Sequence, residues 1–178
     1  MLIFMLVLMS VWGIVIFNLL VRDKHRVSAA WSDVQVQLKR RHDLIPKLVE
    51  AVKTYAAYES GLFEDVTRLR GQAEQSDDPS EKAHLESALG GGMQRLLAVA
   101  EAYPELKAST QYLGLMQQLS EVENHIQYAR RYYNGAVRNL NVRIDSFPDM
   151  LIASPFGFRQ ASLFELDSLT EAQPPEMR

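Results

Sequence analysis

The first 21 residues constrain this chain more than any other feature. They carry no charged side chain, and only Ser10, Gly13 and Asn18 interrupt the apolar run. About twenty such residues in a helix span roughly 30 Å, the thickness of the hydrocarbon core of a bilayer. A cleaved signal peptide is the alternative, but it would carry basic residues ahead of a shorter apolar stretch, and Met1–Leu2–Ile3 has none. The sequence therefore predicts an uncleaved membrane anchor at 1–21.

Charge is unevenly distributed after this anchor. Residues 22–41 hold six Lys or Arg against two Asp, although the whole chain has a net charge of −3. Arg22, Lys24 and Arg26, the basic collar, directly follow the anchor, where basic residues mark the cytoplasmic side and attract anionic headgroups. We expect the N-terminus to lie outside and the bulk of the chain in the cytoplasm. The acidic net charge gives no indication of nucleic-acid binding.

The rest of the chain has the pattern of amphipathic helices, because apolar residues recur at steps of three and four. Asp43 followed by Pro46 is typical of a helix start. The composition of residues 76–80 is typical of a turn, and Pro104 and Pro148 indicate that a helix ends shortly before each of them. We predict four helices, with the first two joined through a kink at Pro46 as the alternative. Their bounds are about 2–41, 44–75, 80–102 and 107–146.

These elements predict an all-α fold in which an N-terminal transmembrane helix continues into an antiparallel up-and-down four-helix bundle. The expected domains are the anchor at 1–21, the bundle at 22–147, and an irregular apolar segment with a disordered acidic tail at 148–178. The last helix of such a bundle returns towards the membrane. The apolar segment is therefore expected to pack onto the bundle, to enter the membrane interface or to dock a membrane partner. Its apolar side chains are Met150, Leu151, Ile152, Phe156 and Phe158.

The sequence offers little for catalysis or metal binding. It has no cysteine, which excludes disulfides, thiolate-bound zinc and a cysteine nucleophile. A di-metal site in a bundle needs two Glu-x-x-His motifs, and only residues 81–84 have that spacing. Residues 90–92 are three glycines without the strand or the lysine of a phosphate loop, and they indicate a helix irregularity or a close helix approach. We expect no catalytic residue, no cofactor and no metal.

The apolar residues that recur at steps of three and four form a stripe along each predicted helix. A charged residue on such an apolar stripe is expected to face the core and is therefore a candidate for a structural or functional role. Glu59, Glu123 and Arg130 fall on these stripes, and a carboxylate that faces a core is costly unless an arginine pairs with it. We interpret these three residues as a buried structural ion cluster, with a ligand or partner site and simple surface exposure as the alternatives. Residues 39–41 are also basic, and we expect them to form a solvated helix end.

Several motifs in order resemble the LemA family of bacterial membrane proteins. The resemblance is carried by AWSDVQVQLKRRHDLIPKLVEAVKTYAAYE at 30–59, AYPELKA at 102–108, Glu123, Ile126, Arg130, YYN at 132–134, FP at 147–148 and GF at 157–158. The chain departs from the family at Tyr58–Glu59, where His-Glu is common, and at Leu140–Asn141, where Tyr-Asn is expected. The resemblance implies a four-helix bundle on a single span in the bacterial inner membrane, with no known enzymatic activity.

The functional expectation is a non-enzymatic single-pass membrane protein whose cytoplasmic bundle acts as a scaffold or adaptor. Its expected partners are the lipid bilayer and another membrane protein, with no nucleic acid, and self-association through exposed helix faces is a further expectation. The main alternative is a membrane-tethered helical sensor that binds a small ligand on the extracytoplasmic side. A cryptic metalloenzyme is a third, weaker hypothesis.

Overall fold

The computed structural model describes residues 1–165, in which every regular element is a helix. The predicted all-α fold with an N-terminal apolar helix is therefore confirmed. The end of the predicted acidic tail, from residue 166 onwards, lies outside the described residues. The helices are α1 (Leu2–Lys53), α2 (Ser60–Gln75), α3 (Pro79–Glu101), α4 (Pro104–Lys107), α5 (Thr110–Asp145) and α6 (Met150–Ala153).

The first helix does not end near residue 41, so the predicted boundary there is wrong, and the alternative in which the chain continues as helix through Pro46 is the one observed. Helix α1 continues through Asp43 and Pro46 to Lys53. Proline removes one helical hydrogen bond, but its neighbours Ile45 and Leu48 are buried, and their burial favours continuation of the helix. The chain leaves the helix only at 54–59, where the Thr54 hydroxyl donates to the Glu50 carbonyl at 3.0 Å.

The other predicted breaks are close to the observed ones. Asp78 caps α3, because its Oδ1 accepts from the backbone N–H groups of Ser80 and Glu81, each at 2.9 Å. Helix α3 ends shortly before Pro104, and α5 ends at Asp145, shortly before Pro148. The apolar segment contains the short helix α6.

The described residues divide into two compact units. The outer unit, as we name it here, consists of Met1–Val36 and Gln127–Leu163, and the bundle unit consists of Gln37–Ile126 with Phe164 and Glu165. In the bundle unit, segments of α1, α2, α3 and α5 surround one hydrophobic core, consistent with the predicted four-helix bundle. Core residues from these four helices include Ile45, Leu48, Val52, Val66, Leu89, Leu96 and Leu119.

The predicted close approach at the glycine run is confirmed at Gly92. A Cβ atom added there would lie 3.1 Å from Cγ2 of Val66 on α2. Gly90 and Gly91 have open space around the corresponding position. The third glycine of the run therefore lets α3 pack tightly on α2.

In the outer unit, α1 packs against the second half of α5 over part of its length. The Trp31 and Tyr133 rings lie 5.1 Å apart between centroids, and Val34 and Val137 are fully buried. Towards the N-terminus, up to residue 15, the large apolar side chains of α1 are all exposed, with Trp12 the least exposed at 41%. By length and composition this part of α1 can cross a membrane.

Candidate functional site

A network of charged side chains lies inside the bundle unit. We call Arg41, His42, Glu74, Glu86 and Glu123 the ion network. The Arg41 guanidinium donates to Glu86 through Nη2 and to Glu123 Oε1 through Nη1, the latter at 3.1 Å. His42 Nε2 lies 2.8 Å from Glu86 Oε1, and its Nδ1 lies 3.8 Å from Glu74 Oε1. The ion network thus joins α1 to α2, α3 and α5.

The centre of the ion network is shielded from water, and its charges are mutually compensated. The exposed fraction of the Arg41 side chain is 4%, and that of Glu86 is 0%. Burial by itself would raise the pKa of Glu86, but the hydrogen bond with His42 and the charge of Arg41 hold this pKa below its ordinary value. Burial likewise opposes the Arg41 cation, but Glu86 and Glu123 raise its pKa. Both side chains are therefore charged at neutral pH.

Of the three residues of the predicted ion cluster, the structure brings Glu123 into the ion network, through Arg41. Glu59 is exposed, because α1 ends at Lys53 and residue 59 lies in the turn before α2 instead of on a helical stripe. Arg130 is partly buried in the outer unit. The ion network thus contains Glu123 of the predicted cluster, but its centre is formed by Arg41 and Glu86.

Arg41, His42 and Glu86 were missed by the sequence interpretation, although the helical period contains a signal for them. Arg41 and His42 fall between Leu38 and Ile45 on the buried stripe of α1, so they face the core and are not a solvated helix end. The same period places Glu86 on the buried face of α3. Because the first helix was predicted to end near residue 41, the stripe of α1 was not extended through Arg41 and His42.

The outer unit contains an open cleft lined by arginines, which we call the arginine cleft. Its volume is about 430 Å³, and it lies between the start of the charged part of α1 and the C-terminal half of α5. Four guanidinium groups and two carboxylates line it, an excess of two positive charges. The lining side chains are Arg22, Asp23, Arg26, Arg138, Asn139, Val142, Arg143, Ser146 and Asp149.

Asp23 forms ion pairs with three of the four arginines that line the arginine cleft. Its side chain is 8% exposed and lies 2.8 Å from Arg143 Nε, and 3.6 Å from nitrogens of both Arg22 and Arg26. Arg143 also donates through Nη1 to Asp149 at 3.0 Å. Arg143 is therefore fixed by two carboxylates, whereas Arg22 and Arg26 share one.

The basic collar and the arginine cleft overlap only in part. Arg22 and Arg26 line the cleft, and Lys24 is exposed and does not. Arg138 and Arg143, which complete the cleft, come from a different helix, and no spacing along the chain relates them to the collar. Two of the four arginines of the cleft, Arg22 and Arg26, thus belong to the predicted basic collar.

The apolar segment packs on the same part of α1 that the sequence assigns to the anchor. The Phe17 ring lies 5.1 Å from that of Phe156 and 5.7 Å from that of Phe158, both edge-on. Ile152 Cδ1 lies 3.7 Å from the place of a Cβ atom at Gly13, so this glycine admits close packing. Met150 and Leu151 are exposed, and Phe156 also remains largely exposed despite its contact with Phe17.

Two side chains of α5 hold the chain that follows this segment. The Asn141 amide donates to the Ala161 carbonyl and accepts from the Ala161 N–H, both at 2.9 Å. The Tyr133 hydroxyl donates to the Ser162 carbonyl at 2.8 Å. The paired hydrogen bonds of Asn141 explain a polar residue on an otherwise apolar stripe, a role that the sequence interpretation did not assign.

The described part of the chain offers binding surfaces more readily than a reactive centre. Within residues 1–165, no three His, Cys, Asp or Glu side chains are grouped so as to hold a metal ion. The ion network is closed and structural in its geometry, since its buried carboxylate and guanidinium neutralise each other. The arginine cleft is open and positively charged, and it can bind an anion.

Comparison with known proteins gives a consistent family assignment. The family model described as the LemA family matches residues 30–178. The chain is 26% identical to Protein LemA of Metamycoplasma hominis over 153 residues, which cover 85% of this chain and 70% of that protein. It is 26% identical to magnetosome protein MamQ 2 of Paramagnetospirillum magneticum over 175 residues, covering 84% of this chain and 64% of the relative.

A further relative, magnetosome protein MamQ of Magnetospirillum gryphiswaldense, is 24% identical, and the chain covers 64% of its length. The chain thus spans less than two thirds of the length of the MamQ proteins. The family match, in contrast, extends over most of this chain. This membrane-associated helical protein, with its apolar N-terminal helix, therefore belongs to the LemA family.

Proposed function

We propose that the protein is a non-enzymatic single-pass membrane protein of the bacterial inner membrane whose cytoplasmic helical part serves as a scaffold or adaptor for another membrane protein. The observation that carries this proposal is the exposed apolar surface of α1. From Leu2 to Val15 nearly every large apolar side chain of this helix is exposed, and only from Ile16 onwards does one face become buried. A contiguous apolar surface of this size marks a membrane or protein contact.

The charges next to the apolar stretch support the proposed orientation. Arg22, Lys24 and Arg26 adjoin the apolar stretch on its C-terminal side. Basic residues next to a span stay on the cytoplasmic side. The bulk of the chain is therefore cytoplasmic in this proposal, opposite to the orientation that an extracytoplasmic sensor needs.

The scaffold role is supported by how the polar groups are used. The most deeply buried charges in the bundle unit compensate each other and fix helices in register. The outer surface of α5 instead presents exposed aromatic side chains, Tyr128 and Tyr132, with the Arg131 guanidinium 4.7 Å above the Tyr128 ring. Tyrosine and arginine are enriched where proteins bind one another.

Membrane extraction and a reporter fusion test the tether and its orientation. We expect the full chain to stay in the membrane fraction at high salt and alkaline pH and to be released by detergent. A reporter active only in the cytoplasm should be active when fused after residue 178. Release by salt would overturn the tether, and reporter activity only outside would favour the sensor.

Photo-crosslinking in intact cells tests the scaffold role. A photoreactive amino acid at Tyr128 or Tyr132 should give a discrete adduct with one integral membrane protein. The same amino acid at Gln117, an exposed residue on the same helix, is the control and should not give this adduct. Adducts only with lipid, or equal adducts at all three positions, would contradict the proposed role.

A further inference from the structure

We propose that the arginine cleft binds the phosphate of an anionic phospholipid headgroup, with the acyl chains of that lipid lying along the apolar surfaces of α1 and α6. The inference rests on the membrane anchoring proposed above and adds a defined ligand site to it. It differs from diffuse attraction by the basic collar because the binding groups come from two helices and enclose a cleft.

The position of the arginine cleft along α1 favours a headgroup. Arg22 is the first charged residue after the anchor, so the cleft begins where the apolar surface ends. Helical rise places Gly13 and Phe17 about 7 to 14 Å closer to the centre of the bilayer than Arg22. The contacts of Ile152 and Phe156 with these residues bring the apolar segment to the same depth.

The charges in the arginine cleft favour an anion. Arg22 and Arg26 are 52% and 58% exposed, and each lies 3.6 Å from the single carboxylate of Asp23. Arg138 lines the same cleft from α5 and is exposed. Guanidinium groups bind phosphate oxygens through paired hydrogen bonds. These three arginines are the proposed phosphate ligands.

Arg143 has a different role, because its guanidinium is already held. Asp23 contacts its Nε at 2.8 Å, and Asp149 accepts from its Nη1 at 3.0 Å. These contacts tie α1, α5 and the start of the apolar segment together at the cleft. Arg143 is therefore a positioning residue that holds α1 and α5, the two walls of the arginine cleft, at a fixed separation.

The surroundings of the arginine cleft favour a lipid over a soluble phosphate compound. Asp149 immediately precedes α6, on which Met150 and Leu151 are exposed. Phe156, also exposed, packs edge-on against Phe17 of α1. A ligand with a phosphate at one end and acyl chains at the other satisfies both the charge of the cleft and this apolar surface.

Native mass spectrometry of the full chain in a neutral detergent tests the site. Dioleoylphosphatidylglycerol is the probe, and dioleoylphosphatidylcholine, which carries no net charge, is the comparison. We expect one phosphatidylglycerol to bind in preference to phosphatidylcholine. The test variant is Arg26→Gln/Arg138→Gln. The matched control is Lys24→Gln/Arg131→Gln, which removes two charges from the same two helices at exposed positions outside the cleft.

The test variant should bind phosphatidylglycerol about tenfold more weakly than the control variant, corresponding to the loss of about one paired arginine–phosphate contact. Equal losses in both variants would overturn the proposal, since they would indicate diffuse attraction alone. Displacement of the lipid by equimolar inorganic phosphate would also overturn it, because the site would then serve a soluble anion.

Two further measurements keep the outcome interpretable. If the test variant loses helicity by circular dichroism, Arg138→Lys replaces it, and this variant should still weaken binding because lysine lacks the paired donors. A full chain that does not enter phosphatidylcholine vesicles at all would refute the membrane anchoring itself. A chain that enters them without a preference for phosphatidylglycerol would refute only the lipid site.

Discussion

In the bundle unit, Arg41 is enclosed by glutamates from α3 and α5, whereas in the outer unit Arg22 and Arg26 share one aspartate and stay half exposed. Both units contain ion pairs between arginine guanidinium groups and carboxylates. Their ratio of cations to carboxylates differs, and so does their access to water. Where carboxylates equal or exceed arginines and water is excluded, the charges hold helices together. Where arginines are in excess and the site is open, charge is left for a ligand.

The strongest way to break this comparison is to remove the cation of the closed site. Arg41→Ala leaves the buried Glu86 without its arginine partner and should lower the free energy of unfolding by about 3–5 kcal/mol. Urea unfolding of the full chain in detergent, followed by circular dichroism, measures this. Arg40→Ala, at an exposed neighbouring residue, is the control and should change stability by less than about 0.5 kcal/mol. Similar effects of the two changes would contradict the assigned role of Arg41.

A smaller effect is expected from Asn141 in the outer unit. Asn141→Ala removes both hydrogen bonds to Ala161. It should destabilise the packing of the segment around Ala161 on α5 by roughly 1–3 kcal/mol. Limited proteolysis should then cut after residue 147 faster than in the wild type. Asn124→Ala, at an exposed position of the same helix, should leave the cleavage rate unchanged. Unaltered cleavage in Asn141→Ala would show that these hydrogen bonds do not hold the segment.

Acid should weaken the bundle unit more mildly, because Arg41 keeps its charge. The pKa of Glu86 is below its ordinary value of 4.5 in the folded protein, so its carboxylate contributes stability above that value. This contribution is lost as the pH falls from 4.5 through the lower folded-state pKa. The wild type should therefore lose more stability than Glu86→Gln on acidification. Parallel pH curves would contradict a depressed pKa at this residue.

The smallest effect compares two adjacent glycines of α3. Gly91→Ala meets open space and should stabilise the helix by about 0.5–1 kcal/mol. Gly92→Ala places a methyl group 3.1 Å from Val66 Cγ2 and should lose this gain. Thermal unfolding of the two variants gives the difference directly. Equal melting temperatures would mean that Val66 and α2 move away from the added methyl group without a loss of stability.

Much of the fold was predictable because helix ends are local events. The turn at residues 76–80 and the prolines at 104 and 148 gave three boundaries to within a few residues. The prediction failed at Asp43 and Pro46, which look like a helix start but lie inside α1. Burial of residues on either side outweighs the local preference there, and burial depends on other helices.

The candidate sites were less predictable, because pairs between helices leave no trace in spacing along the chain. The stripe of α1 could have placed Arg41 in the core, yet nothing local selects Glu86 as its partner. The same holds for Arg143, whose two carboxylates lie on α1 and before α6. The basic collar was visible in the sequence because its residues are adjacent, and Arg138 was not.

The packing of Phe156 and Phe158 on Phe17 has a consequence for how the molecule is made. Ribosomes synthesise α1 first and the apolar segment late. In a chain anchored by α1, the face with Gly13 and Phe17 therefore meets lipid during translation and receives these protein neighbours only after α5 has been made. Assembly at the membrane then requires the late segment to displace acyl chains from a helix that is already inserted.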